Sequence, residues 1–130
     1  GAPASIVVAG PADGELPFGN FGWTDFFIQV PSDGTFSFDW LFNTEDLEDL
    51  DSGLYINNDY FPLSGTDGAF GSVSEPVLAG DFIGFSVESV DSLSDRGFLT
   101  ISNFSAPPVP EPTTLAALAA VIMLALRRRA

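Results

Sequence analysis

The sequence predicts an all-β protein: a small two-layer antiparallel β-sandwich, jelly-roll-like, followed by a C-terminal hydrophobic helix. Three observations carry this expectation. Apolar and polar residues alternate with period two in short runs bounded by Gly, Pro, Asn and Asp. Seven or eight such runs recur along the first 105 residues, a spacing that fits two packed sheets, with a closed barrel as the alternative. The chain then ends in an unbroken apolar stretch followed by arginines.

Residues 5–9 open the domain as a first strand. Residues 26–30 and 35–42 are both β-rich, and Pro31-Ser32-Asp33-Gly34 between them has turn chemistry, so a hairpin is expected there. Within the second run, Phe36, Phe38, Trp40 and Phe42 share one face, and Thr35, Ser37 and Asp39 share the other. At helical spacing those four aromatics would scatter around the axis. Residues 43–51 have the makings of a short helical turn. Asn43 or Thr44 would cap it, Glu45, Asp46 and Glu48 would fill its first turn, and Leu47 and Leu50 would face inward.

Residues 54–56 and 60–63 flank Asn57-Asn58-Asp59 as a tight hairpin, with Pro62 marking an edge strand. Residues 71–77 form a weaker strand, also with a proline. Residues 81–88 set Ile83, Phe85 and Val87 against Gly84, Ser86 and Glu88, and residues 98–104 close the domain. The organisation is therefore a β domain over residues 1–105, a proline-rich linker over 106–112, and a transmembrane helix with an Arg-rich end over 113–130.

Composition removes whole classes of chemistry. The 130 residues contain 18 Asp and Glu, 4 Lys and Arg, no His and no Cys, for a formal net charge of −14. Imidazole bases, Ser-His-Asp relays, thiolate nucleophiles, disulfides and Zn–thiolate sites are excluded. Residues 1–105 carry 17 acids and one base, Arg96. Such a surface repels phosphate backbones, which excludes nucleic acid as a partner. At 45% hydrophobic and 13% aromatic the chain is nonetheless too apolar to be an acidic disordered tail.

The tail has three parts in order. Ala106-Pro107-Pro108-Val109-Pro110-Glu111-Pro112 is an extended, donor-poor segment. Residues 115–126 are twelve consecutive apolar residues, about 18 Å as a helix against a hydrocarbon core of about 30 Å. Arg127, Arg128 and Arg129 follow as a membrane stop signal that stays cytoplasmic, placing the β domain outside. A helix docked on the soluble domain is the alternative. It would need a polar face for solvent, which this stretch lacks.

This tripartite tail resembles the PEP-CTERM sorting signal of bacterial exported proteins, over residues 109–129, with Pro110, Glu111 and Pro112 as the sorting motif. The resemblance implies an exosortase-type membrane transpeptidase as partner, transient anchoring in the inner membrane, and cleavage near the motif that delivers the protein to the cell surface or exterior. The apolar part is shorter than is usual in that family. The opening Gly1-Ala2-Pro3-Ala4-Ser5 resembles the small-residue end of a secretion-signal cleavage site. The stretches Gly34–Trp40, Ala79–Phe85 and Leu99–Pro107 are similar to recurring domains that precede this tail, which have no assigned activity.

The remaining chemistry is modest. Asp46, Glu48, Asp49 and Asp51 in one loop, with Asp91 and Asp95 in another, offer oxygen ligands for calcium, although Asp49-x-Asp51-x-Gly53 is only a fragment of an EF-hand loop. No spacing selects a catalytic carboxylate pair, so no catalytic residue, resident metal or cofactor is expected. Tyr55, Tyr60, Trp23 and Phe61 are the aromatics least committed to a core and are candidates to stack on sugar rings. Arg96, between Asp95 and Gly97, suits a turn cap or a local ion pair. Asn103-Phe104-Ser105 matches a glycosylation sequon but more simply finishes the last strand. The expected function is a non-enzymatic, secreted or cell-surface protein of the extracellular matrix. The alternative is a polysaccharide-binding β-sandwich module assisted by calcium. Exposed aromatics sharing one sheet would favour the second.

Overall fold

The structure is a computed structural model and describes residues 5–12, 21–46, 50–91 and 96–108. Eight strands form there: β1 (Ser5–Ala9), β2 (Gly22–Gln29), β3 (Gly34–Asn43), β4 (Asp51–Asn57), β5 (Tyr60–Ser64), β6 (Phe70–Val77), β7 (Phe82–Ser89) and β8 (Phe98–Ser105). They build two four-stranded sheets in the orders β1-β8-β3-β6 and β2-β7-β4-β5. Every pairing is antiparallel. Only β4 and β5 pair directly after a short turn; the other connections pass between sheets, giving the interleaved order of a jelly roll.

The alternation in the sequence decides which side of each strand meets the opposite sheet. Phe36, Phe38 and Phe42 of β3 are buried, with Trp40 packed beside them, as period two requires. Leu99 and Ile101 of β8 lie in the same sheet. Across from them stand Ile83, Phe85 and Val87 of β7, all fully buried. The rings of Phe38 and Phe85 meet edge-on with centroids 4.9 Å apart, and Phe36 sits 5.9 Å from Phe85. Packing continues past the last strand. Ala106 rests on the core, and Pro107 is buried over Gly34, where a Cβ would come within 2.8 Å of the Pro107 ring.

Two local expectations are corrected. No hairpin joins residues 26–30 to 35–42: β2 bonds to β7, whereas β3 bonds to β6 and β8 in the other sheet. Pro31–Gly34 is instead an arch between layers. Val30 is tied to its own sheet, donating from its N–H to the Asp81 carbonyl and accepting from the Gly80 N–H, both at 2.8 Å. A turn sequence reverses the chain but does not choose its partner. Two apolar runs bury more surface facing each other across the interior than side by side.

The helical turn over residues 43–51 also gives way at its described ends, since Asn43 ends β3, Glu45 and Asp46 form a bend, and Asp51 begins β4. Thr44 does cap, accepting the Asp46 N–H at 3.1 Å, but within a bend. Residues 47–49 lie outside the described part, as do Pro110, Glu111, Pro112, Arg127, Arg128, Arg129 and the expected C-terminal helix. Among the described residues no helix is long and apolar enough to cross a membrane.

The edges follow the prolines. Pro62 lies on β5 and Pro76 on β6, the last strands of their sheets on the same side of the sandwich. That side is closed by Glu75, which accepts from the Tyr55 hydroxyl at 2.6 Å and the Asn57 amide at 2.8 Å. Burial, then the hydrogen bond and charge of Glu75, push the Tyr55 phenol up to about 12. Replacing Phe38 by Ala should cost about 3–5 kcal/mol through lost burial, cavity and ring contacts. Urea unfolding of the variant measures it, and a loss below about 1 kcal/mol would mean that the two sheets do not meet there.

Candidate functional site

In an antiparallel sheet, directly paired residues share a face. The pairings Trp23–Glu88–Ser52, Asp25–Ser86–Leu54 and Phe27–Gly84–Ile56 therefore run across β2, β7 and β4 on the side away from the core. Tyr60 of β5, paired with Ile56, belongs to the same outer face. Five aromatics stand exposed here or at its margin: Phe21, Trp23 (60% exposed), Phe27, Tyr60 (50%) and Phe82. Phe21 leans on Trp23 at 5.8 Å, tilted by 48°, and Phe27 meets Phe82 edge-on at 6.0 Å.

Tyr60 organises the face. Its hydroxyl reaches across β4 and β7 and donates to Asp25 Oδ2 on β2 at 2.5 Å. That bond, helped by burial and the charge of Asp25, lifts the phenol above its ordinary value. The other oxygen, Asp25 Oδ1, is closed off from solvent and accepts no hydrogen bond among the described residues. Gly84, between the flanking strands, must stay bare. A Cβ there would fall 2.0 Å from the Phe26 carbonyl oxygen, so β2 lies close against β7 and the floor of the face remains flat.

The Tyr60 strut divides the face into two hollows. One, of about 310 Å³, is lined by Phe21, Trp23, Leu54, Tyr60, Ser86 and Glu88. The other, of about 240 Å³, is lined by Phe27, Ile56, Asn58, Asp59, Tyr60 and Phe82. Asn58, at φ 60°, fixes the rim of the second. Its N–H donates to the Phe82 carbonyl at 2.8 Å, and its side-chain oxygen accepts the Phe82 N–H at 2.9 Å.

Of the four aromatics singled out in the sequence, Trp23 and Tyr60 meet on this face. Tyr55 and Phe61 do not: they stack on each other at 5.2 Å, and Tyr55 packs against Phe38 toward the interior. Phe21, Phe27, Phe82, Asp25 and Glu88 were not singled out. The outward phase of Phe82 was readable from its register with Gly84 and Glu88. That of Phe27 was not, because Phe26 beside it is equally apolar and β2 is an edge strand.

The opposite outer face is polar around Asp39, with Val7, Leu41, Phe70 and Phe98 exposed toward one end of it. Asp39 on β3 accepts from the Ser72 hydroxyl at 2.6 Å and the Asn103 amide at 2.7 Å, which hold its carboxyl below the usual range. Asn103 sits inside β8 with φ 50°, so the sequon asparagine is engaged in the sheet.

Of the acids considered for calcium, Asp51 is engaged inside the fold. Asp51 points inward and is 1% exposed, with Oδ2 accepting from the Thr44 hydroxyl at 2.9 Å. Burial raises its carboxyl above the ordinary 3.8, against hydrogen bonds from Ser89 and Thr44 and with the charges of Asp46 and Asp91 adding to the rise. Among the described residues no three carboxylates lie close enough to hold a metal ion. Glu48, Asp49 and Asp95 lie outside them, and Arg96 is exposed at the start of the approach to β8.

No family model matches the chain, and no curated protein matches it. Among solved structures the fold is similar to a native family 35 carbohydrate binding module from Clostridium thermocellum. The identity is 9% and the TM-score 0.36, over 76% of this chain and 88% of that one.

Asp51 yields a pH prediction. Its raised native pKa means the folded state keeps a proton that the unfolded chain has released, so ionised Asp51 costs stability at neutral pH. The cost fades as pH falls through the native pKa toward 3.8. Asp51→Asn should raise Tm by a few degrees at neutral pH and leave it unchanged in acid. Calorimetry at both pH values checks this, and a lowered Tm at neutral pH would contradict it.

Proposed function

We propose that this chain is an exported, non-enzymatic cell-surface protein whose β-sandwich binds polysaccharide across the outer face of β2, β7, β4 and β5. The observation that carries the binding reading is the gathering of Trp23, Tyr60, Phe27, Phe82 and Phe21, all exposed, on one face with carboxylates and hydroxyls between them. Sugar rings present apolar C–H faces edged by hydroxyls, so flat rings interleaved with acceptors suit them. Burial in the core would be the ordinary fate of such side chains. Their gathering around two hollows on one face is what supports this reading.

Export rests on the tail. The Pro110-Glu111-Pro112 motif, the apolar run and Arg127–Arg129 resemble a PEP-CTERM signal, which supports transient membrane anchoring and release by an exosortase-type transpeptidase. The two parts are complementary, since a released domain that holds polysaccharide stays in the extracellular matrix. The face is open, and with no His or Cys in the chain it offers few groups for chemistry on what it holds.

Two measurements test the parts separately. Affinity electrophoresis through gels containing a panel of soluble polysaccharides should show retardation that Trp23→Ala reduces about tenfold or more, while Phe70→Ala, an exposed aromatic of the other sheet, leaves it intact. No retardation by any polymer would leave a matrix protein without a sugar ligand. In cells, Glu111→Ala should leave the sandwich folded but cause membrane-associated precursor to accumulate. Unchanged release, followed by intact mass, would remove the sorting assignment.

A further inference from the structure

We infer that the larger hollow, beside Trp23, is built for a cationic sugar: an amino-sugar polymer with free amines, such as a de-N-acetylated glucosamine chain. This inference rests on the polysaccharide-binding reading and names its ligand class. Three observations lead there. The hollow is walled by rings, Phe21, Trp23 and Tyr60, and it closes on Glu88, the register partner of Trp23. A ring face and a carboxylate side by side are the two groups that stabilise an ammonium.

The second observation is Asp25. It lies one pairing further along β2, and one of its oxygens is shut from solvent without a donor. Its other oxygen accepts from the Tyr60 hydroxyl, so the carboxylate adds negative charge beside the hollow without lining it, which favours a cation there. The third is that no base lines the hollow among the described residues: Arg96, the one base in residues 1–105, is exposed in the connection from β7 to β8 and is not part of the lining. Uronic-acid, sulfated and phosphorylated polymers would meet like charge at this face. Neutral sugars would stack on the rings but leave both carboxylates without a counter-charge.

The other hollow repeats the scheme more weakly, with Asp59 beside Phe27, Tyr60 and Phe82. Two acid-and-ring hollows either side of one Tyr60 strut suit a chain in which amines recur at regular intervals.

The test uses the whole protein and two oligosaccharides of equal length, one of glucosamine and one of N-acetylglucosamine, titrated calorimetrically. The glucosamine oligomer should bind at least about tenfold more tightly. Glu88→Gln should bring the two to near parity, and Trp23→Ala should weaken both. Asp39→Asn removes the same unit of charge from the opposite face and should keep the preference, which separates a built site from attraction to an acidic protein in general. Circular dichroism of each variant confirms that the sandwich is intact. Equal binding of the two oligomers, or a preference that Asp39→Asn erodes as much as Glu88→Gln, would overturn the amine assignment while leaving the polysaccharide reading in place. Absence of binding to either, and to the wider panel, would remove both.

Discussion

The contact between β3 and β7 is the constraint on which the rest depends. Phe38 and Phe85 meet edge-on at 4.9 Å, each on the second strand in from an edge or its neighbour, and Phe36, Phe42, Ile83 and Val87 extend the same seam. With no disulfide available, a domain of this size is held by burial of rings. Once β3 and β7 are pressed together, the outward phases of β7 follow from the pleat. Gly84, Ser86 and Glu88 become the floor of the opposite face, and the strands beside β7 inherit that phase through their pairings. The exposed face is thus a consequence of core packing seen from behind.

Polarity is divided unequally between the two outer faces. Over β3 and β8 the surface centres on Ser, Thr, Asn and the well-satisfied Asp39, with Leu41, Phe70 and Phe98 exposed at one end. Over β2, β7, β4 and β5 it carries rings, and its one interior carboxylate, Asp25, is only half satisfied. Both faces expose apolar side chains, but only over β2, β7, β4 and β5 do rings stand beside hollows and an under-bonded acid, which is why the proposed binding is placed there.

Most of the fold was legible in the sequence because period two is a strong signal wherever one strand face is dry. Phe36, Phe38 and Phe42, the Ile83-Phe85-Val87 row, the Asn57-Asn58-Asp59 turn and the edge position of Pro62 were all readable from alternation and turn residues. The partner of β2 was not, since Pro31–Gly34 encodes a reversal without saying which layer receives the chain. The loop after Asn43 misled because a threonine that caps a bend uses the same hydroxyl as one that caps a helix. Of the proposed binding face, Trp23 and Tyr60 could be suspected as surplus to a small core. Asp25 and Glu88 could not, because 17 acids over 105 residues hide any two, and only the register brings them beside the rings.

Pro62 and Pro76 lie on neighbouring rims of the two layers. Each removes one backbone donor from a strand that would otherwise offer a continuous ladder to a passing copy of the same chain. Wherever copies of this chain are crowded together, the two imino acids interrupt that ladder and disfavour rim-to-rim strand pairing.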